Sequence, residues 1–191
     1  PAAVENLNAS FTDNSLVGTV AFTAPTATYA GGTLSGQLSY DVMVGNDTLA
    51  TGKTYPGAFV RETVTVPEGV TTFRVTTANE VGSSPENKVK VYVGNDEPTQ
   101  VKDVNLAIDP ETGVAKLTWS PVTTGINGGY IGNITYNVVR YPDSTTVATG
   151  LADTELTETF SAEEPLQTYS YGVAAVNVFV GRQVKRHTAE R

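Results

Sequence analysis

The sequence predicts an all-β chain built as two tandem, seven-stranded β-sandwiches, and three observations predict it. GNITYNVV at Gly132 to Val139 repeats the pattern of GQLSYDVM at Gly36 to Met43, so the chain states one module twice at a spacing of 96 residues. Val and Thr together supply 55 of 191 residues while Met and Trp occur once each, a composition that favours the pleated sheet over the helix. Apolar residues alternate with period two in short runs bounded by Gly, Pro, Asn and Asp, as half-buried strands joined by turns require.

Taken in order, the first copy places strands at Val4 to Phe11, Leu16 to Thr23, Leu38 to Val44, Thr48 to Lys53, Phe59 to Val66, Thr72 to Ala78 and Lys88 to Val93. The second places them at Val104 to Ile108, Val114 to Trp119, Ile134 to Arg140, Thr146 to Leu151, Glu155 to Phe160, Thr168 to Val176 and Arg182 to Thr188. The copies answer one another: Val20-Ala21-Phe22 matches Leu117-Thr118-Trp119, Tyr40-Asp41-Val42 matches Tyr136-Asn137-Val138, and Asn79 matches Asn177. Alternation turns Leu117 and Trp119 inward and Thr118 and Ser120 outward. Between the copies, VGNDEPTQVKD gathers Gly94, Asn95, Asp96 and Pro98, which interrupt strand pairing. The domains are therefore read as 1–97 and 98–191, each long enough for its own core.

Charge and composition exclude several functions. The formal net charge is -8, and the one basic cluster, Arg182, Lys185, Arg186, His187 and Arg191, has the period of a solvated strand, so no nucleic-acid partner is expected. Cysteine is absent, which removes disulfides, thiolate nucleophiles and sulfur-ligated metals. No apolar run has the length to span a bilayer. The chain opens on Pro1 and is read as a mature or excised segment of a larger polypeptide whose further domains are its partners; a monomer is expected.

Candidate chemistry is sparse. His187 is the single imidazole and sits in the charged tail, poorly placed for a nucleophile and base pair. The acids fall at turns and outward positions, as in Asp153-Thr154-Glu155-Leu156-Thr157-Glu158, and are read as solubilising rather than as a catalytic carboxylate pair. No catalytic, cofactor or metal residues are assigned, and the chain is not expected to be an enzyme. Asn95, Asp96, Glu97 and Asp103 offer oxygen ligands at the junction, but side-chain turns explain them without calcium. The two loops after the second strand of each copy, TATYAGGTLSGQ and TTGINGGYIGN, each set a tyrosine, Tyr29 or Tyr130, beside Gly-Gly with Leu34 or Ile131 following. These tyrosines are the candidate ligand contacts, although packing over the sandwich end, with Leu34 and Ile131 closing it, is the favoured expectation.

A Leu-x-Trp on the second strand, a Tyr-x-Val on the third, and the run Tyr169-Ser170-Tyr171-Gly172-Val173-Ala174-Ala175-Val176-Asn177 together resemble a fibronectin type III domain, an immunoglobulin-like sandwich without a disulfide. The resemblance implies that Tyr169 makes the corner hydrogen bond and that Trp119 is the core tryptophan. The first copy departs from it, with Phe22 and Thr71 at those places. YVGNDEP and the run from Thr118 to Leu151 resemble tandem type III regions of exported surface proteins of gut-type bacteria. That resemblance implies a secreted or cell-surface location and a non-catalytic spacer or adhesive role with a protein or glycan partner. The alternative is a carbohydrate-binding accessory region of a polysaccharide-degrading protein.

Overall fold

A computed structural model describes residues 1–161, 167–177 and 179, and the chain divides into two units, Pro1–Asn95 and Asp96–Arg191. The division falls two residues ahead of the 97/98 boundary read from the sequence. Its physical reason is Asp96, whose backbone and side chain are both bonded within the second unit.

Unit 1 holds β1 (Glu5–Phe11), β2 (Val17–Thr23), β3 (Leu38–Val44), β4 (Asp47–Thr54), β5 (Phe59–Thr65), β6 (Gly69–Ala78) and β7 (Asn87–Val93). They form two antiparallel sheets, β1-β2-β5 and β4-β3-β6-β7. The period-two pattern puts Val20, Phe22, Val60 and Val64 of the first sheet against Tyr40, Val42, Phe73 and Val75 of the second, and all eight are buried in one cluster. Phe22 meets Tyr40 edge to face at 5.4 Å. Gly52 lies opposite Tyr40 in the register, and a Cβ there would stand inside the phenol ring, so this strand position needs glycine for close approach.

Tyr40 donates its hydroxyl proton to Glu62, a partly buried carboxylate on β5. That hydrogen bond first, then burial and the Glu62 charge, push the Tyr40 phenol up to about 12 from an ordinary 10.0. Because its folded value is raised, the stability it contributes is whole below pH 10.0 and is lost as pH rises through about 12. A spectrophotometric titration should show the Tyr40 phenol ionising late, and Tyr40→Phe should remove that one step together with this part of the alkaline loss in stability.

Unit 2 holds β8 (Asn105–Asp109), β9 (Val114–Thr118), β10 (Ile134–Tyr141), β11 (Thr145–Leu151), β12 (Glu155–Thr159) and β13 (Ser170–Asn177). Its sheets among the described residues run β8-β9-β12 and β11-β10-β13, the order of unit 1 up to the place of β7. The strand read at Arg182 to Thr188, and with it the charged tail and His187, lies outside the described residues. Trp119 is 5% exposed and meets Tyr136 edge to face at 5.4 Å, within a core completed by Leu117, Val138, Tyr171 and Val173. Both the inward reading of Leu117 and Trp119 and the core tryptophan are thus observed. Among the described residues every element is a strand, and no helix is long and apolar enough to cross a membrane.

Candidate interaction surface

The register sets which loops share an end of unit 1. β2 ends at Thr23 opposite Phe59, β3 begins at Leu38 opposite Thr54, and Ser39 pairs with Ala78 at the close of β6. The β2–β3 loop, the β4–β5 turn and the β6–β7 loop therefore gather at one end, and each presents a large apolar side chain to solvent. Tyr29 is 80% exposed, Tyr55 59%, Phe59 68% and Val81 94%.

The β2–β3 loop is a small hairpin. Ala27 bridges Thr33, the Thr28 N–H donates to the Gly32 carbonyl at 2.8 Å, and the Leu34 N–H donates to the Thr26 carbonyl at 2.9 Å. Gly31 takes φ +92, which permits the tight reversal that leaves Tyr29 near the tip. Leu34 turns inward, 7% exposed, and clusters with Ala24 and Leu38. At Val81 the Asn79 side chain accepts the Val81 N–H at 3.0 Å, an Asx turn that holds the loop tip out. The expectation that Leu34 and Ile131 close the sandwich ends is met, Ile131 being 8% exposed. The expectation that Tyr29 packs there is overturned: the hairpin that buries Leu34 lifts Tyr29 away.

Tyr130 takes a different place. It is half-buried, with its ring 6.2 Å from that of Phe179, and its carbonyl accepts the Asp96 N–H at 2.7 Å. The Asp96 carboxylate itself is 1% exposed and accepts from the N–H groups of Glu97, Asn127 and Gly129 and from the Asn127 side-chain amide, all at 2.8 to 2.9 Å. Burial pushes this carboxyl up, but the donors outweigh it and hold it below the ordinary carboxylate value. With both oxygens committed to N–H donors, Asp96 is a structural clasp, and Asp103 is bonded to Ser120 Oγ at 2.8 Å. The junction acids do not converge, and no cluster of His, Asp and Glu suited to a metal ion occurs among the described residues.

A second polar group was misplaced by the alternation argument. Glu158 does not face solvent: it accepts from the Tyr171 hydroxyl and from Arg140 at 2.9 Å. Arg140 also pairs with Asp143 at 3.0 Å and lies over the rings of Phe160 and Tyr169. Arg140 and Thr145 hold the Asp143 carboxyl down at about 2. Burial first, then the Glu158 hydrogen bond, push the Tyr171 phenol well above its ordinary value. Tyr169, assigned to the corner hydrogen bond, stacks on Phe160 at 4.7 Å; residues 162–166 just upstream lie outside the described residues. These contacts are internal to unit 2.

No protein-family model matches the chain, and no curated protein matches it. Among solved structures it is similar to the FN1-FN3 domains of chicken CNTN1, at 13% identity over 93% of this chain and 62% of that one, with a TM-score of 0.39. It is likewise similar to a two-domain fibronectin type III segment of chicken tenascin, at 12% identity over 98% of each chain, with a TM-score of 0.33. The chain thus spans 62% of the length of the first of these. In strand order, β1-β2-β5 facing β4-β3-β6-β7 in unit 1 and, among the described residues, β8-β9-β12 facing β11-β10-β13 in unit 2, each unit is an antiparallel immunoglobulin-like β-sandwich.

Proposed function

We propose that the chain is a non-catalytic adhesive region of an exported bacterial surface protein, and that unit 1 makes the adhesive contact through its apolar end. The single observation that supports this reading is the gathering of Tyr29, Tyr55, Phe59 and Val81, each more than half exposed, on three connections at one end. Soluble proteins seldom leave several large apolar side chains together in water without a partner for them. Three of the four, Tyr29, Tyr55 and Val81, sit on hydrogen-bonded turns, so little ordering entropy opposes binding. The secreted location rests on the resemblance of the junction and of the run from Thr118 to Leu151. A carbohydrate platform built on tryptophan is disfavoured, since Trp119 is 5% exposed in the core.

The test is a binding array of extracellular-matrix proteins, mucins and glycans, probed with the parent chain and with Tyr29→Ala and Phe59→Ala. Binding by the parent should weaken by about 2 kcal/mol or more in one variant, the scale of an interface hot spot, with the melting temperature unchanged. A parent chain inert to the whole array would reduce the role to that of a spacer.

A further inference from the structure

Unit 2 carries an open depression of about 180 Å³ between its entering segment and the chain leaving β9, lined by Thr99, Lys102, Asp103, Ser120, Pro121 and Thr124 among others. Its walls are pinned at both ends. The Thr99 N–H donates to the Thr124 carbonyl and the Ser120 N–H to the Lys102 carbonyl, each at 3.0 Å. Between those rungs Pro121 has no N–H to give, and Val122 turns its N–H to the Tyr136 hydroxyl at 2.9 Å. The ladder opens there, and the gap is part of the folded framework. The Thr99 and Thr124 hydroxyls lie 3.3 Å apart, while Ser120 Oγ, at 2.8 Å, fixes the Asp103 carboxylate.

Unit 1 separates scaffold from lining. Asn6 at φ 52 stands where Asp103 has φ 56, its side chain reaches Thr23 as Asp103 meets Ser120, and the Ala2 N–H donates to the Ala27 carbonyl at 2.9 Å. The left-handed bulge and the rung are thus properties of the fold. The lining is not: Ala2, Glu5, Asn6 and Ala27 occupy the places of Thr99, Lys102, Asp103 and Thr124. Only unit 2 brings paired hydroxyls, a carboxylate and an ammonium to this position.

We infer that the depression is a binding subsite for a neutral pyranose ring. The opening is of the size of a single sugar. Asp103 accepts from adjacent ring hydroxyls, the threonine hydroxyls both donate and accept, Lys102 donates, and the Pro121 ring supplies an apolar wall for the C–H face. The opposite charges of Lys102 and Asp103 balance, which favours a neutral ligand over an anion or a cation. The inference is independent of the apolar end of unit 1.

The experiment titrates the isotope-labelled full chain with methyl α-D-mannopyranoside, methyl β-D-galactopyranoside and N-acetylglucosamine, reading backbone amide shifts. At least one should give saturable shifts confined to residues 99–103 and 120–124, with a Kd in the millimolar range. Thr99→Ala, Asp103→Asn and Thr124→Ala combined should weaken it at least tenfold. Each replacement is the residue unit 1 uses at that place, so the fold tolerates all three, and an unchanged melting temperature checks this. Tyr29→Ala should leave the shifts intact, which keeps this result distinct from the adhesive contact. No saturable shift with any of the three sugars, equal shifts in the triple variant, or equal shifts with glycerol would overturn the inference. Saturation by acetate or methylammonium in place of the sugars would overturn it as well.

Discussion

Asp96→Ala is expected to destabilise unit 2 by about 3 to 5 kcal/mol, because it removes a buried charge whose donors cannot find other partners. The carboxylate accepts four hydrogen bonds from Glu97, Asn127 and Gly129, and the Asp96 backbone adds one to Tyr130 and receives one from Asn177. The site is also tight, since a Cβ at Gly125 would stand against the carboxylate. Asp96→Asn keeps the shape but turns an amide N–H₂ toward N–H donors, so a smaller loss is expected. Both are read from denaturant unfolding of the full chain, followed by amide signals of β8 to β13; an unmoved midpoint for Asp96→Ala would remove the clasp from the account. The pH dependence has a fixed sign. A depressed carboxyl contributes stability above its ordinary value of 3.8 and loses it as pH falls through the lower folded value, so unit 2 should weaken further as the solution is acidified below pH 3.8. A fragment starting at Pro98 lacks the clasp and should be less stable than one starting at Asp96 by a similar amount.

Much of the fold was legible because a sandwich core writes itself in period two. Leu117 and Trp119 are inward in sequence and in space, and Val20 and Phe22, which match them in the first copy, are buried as well. Where the rule failed, a polar side chain occupied an inward position with a dedicated partner. Glu62 on β5 and Glu158 on β12 each accept a hydrogen bond from a tyrosine that lies elsewhere in the sequence, Tyr40 in one unit and Tyr171 in the other. Alternation alone gives a charged residue no inward reading, and the repeat does not supply one: Glu62 pairs with Val20, whose counterpart Leu117 pairs with Leu156 and not with Glu158.

The apolar end was half legible. Tyr29 and Tyr130 were singled out from the same Gly-Gly pattern, and the pattern does not tell a tyrosine on a hairpin tip from one turned against a neighbour. Hydrogen bonds between Thr26, Thr28, Gly32 and Leu34 decide it for Tyr29, and the rung from Asp96 to Tyr130 draws the second loop toward the start of unit 2. Phe59, the first residue of its strand, and Val81 carry no surface signal in the sequence: each is a single apolar residue at a strand or loop end until the register gathers them.

Trp119→Ala should cost unit 2 about 3 to 5 kcal/mol, the range for emptying an aromatic site in a packed core. Its ring is 5% exposed and held by Tyr136, with Val101, Val122 and Ile131 in the same cluster, and strands paired across two sheets have little room to collapse into the space. Trp119→Phe is the informative companion. Unit 1 already packs Phe22 at this place, edge to face with Tyr40 at the same 5.4 Å. The Trp119 Nε1 proton is buried with no acceptor, so the smaller ring discards an unmet donor while it opens a smaller void. The two effects oppose, and the Phe variant should lose about 1 to 2 kcal/mol, well short of the Ala variant. Because Trp119 is the single tryptophan, fluorescence cannot follow either variant, and amide signals of β9, β10 and β13 supply the midpoints. Equal losses for Phe and Ala would mean that the indole makes a specific contact that Phe22 does not share. An Ala variant as stable as the parent would place the tryptophan outside the core.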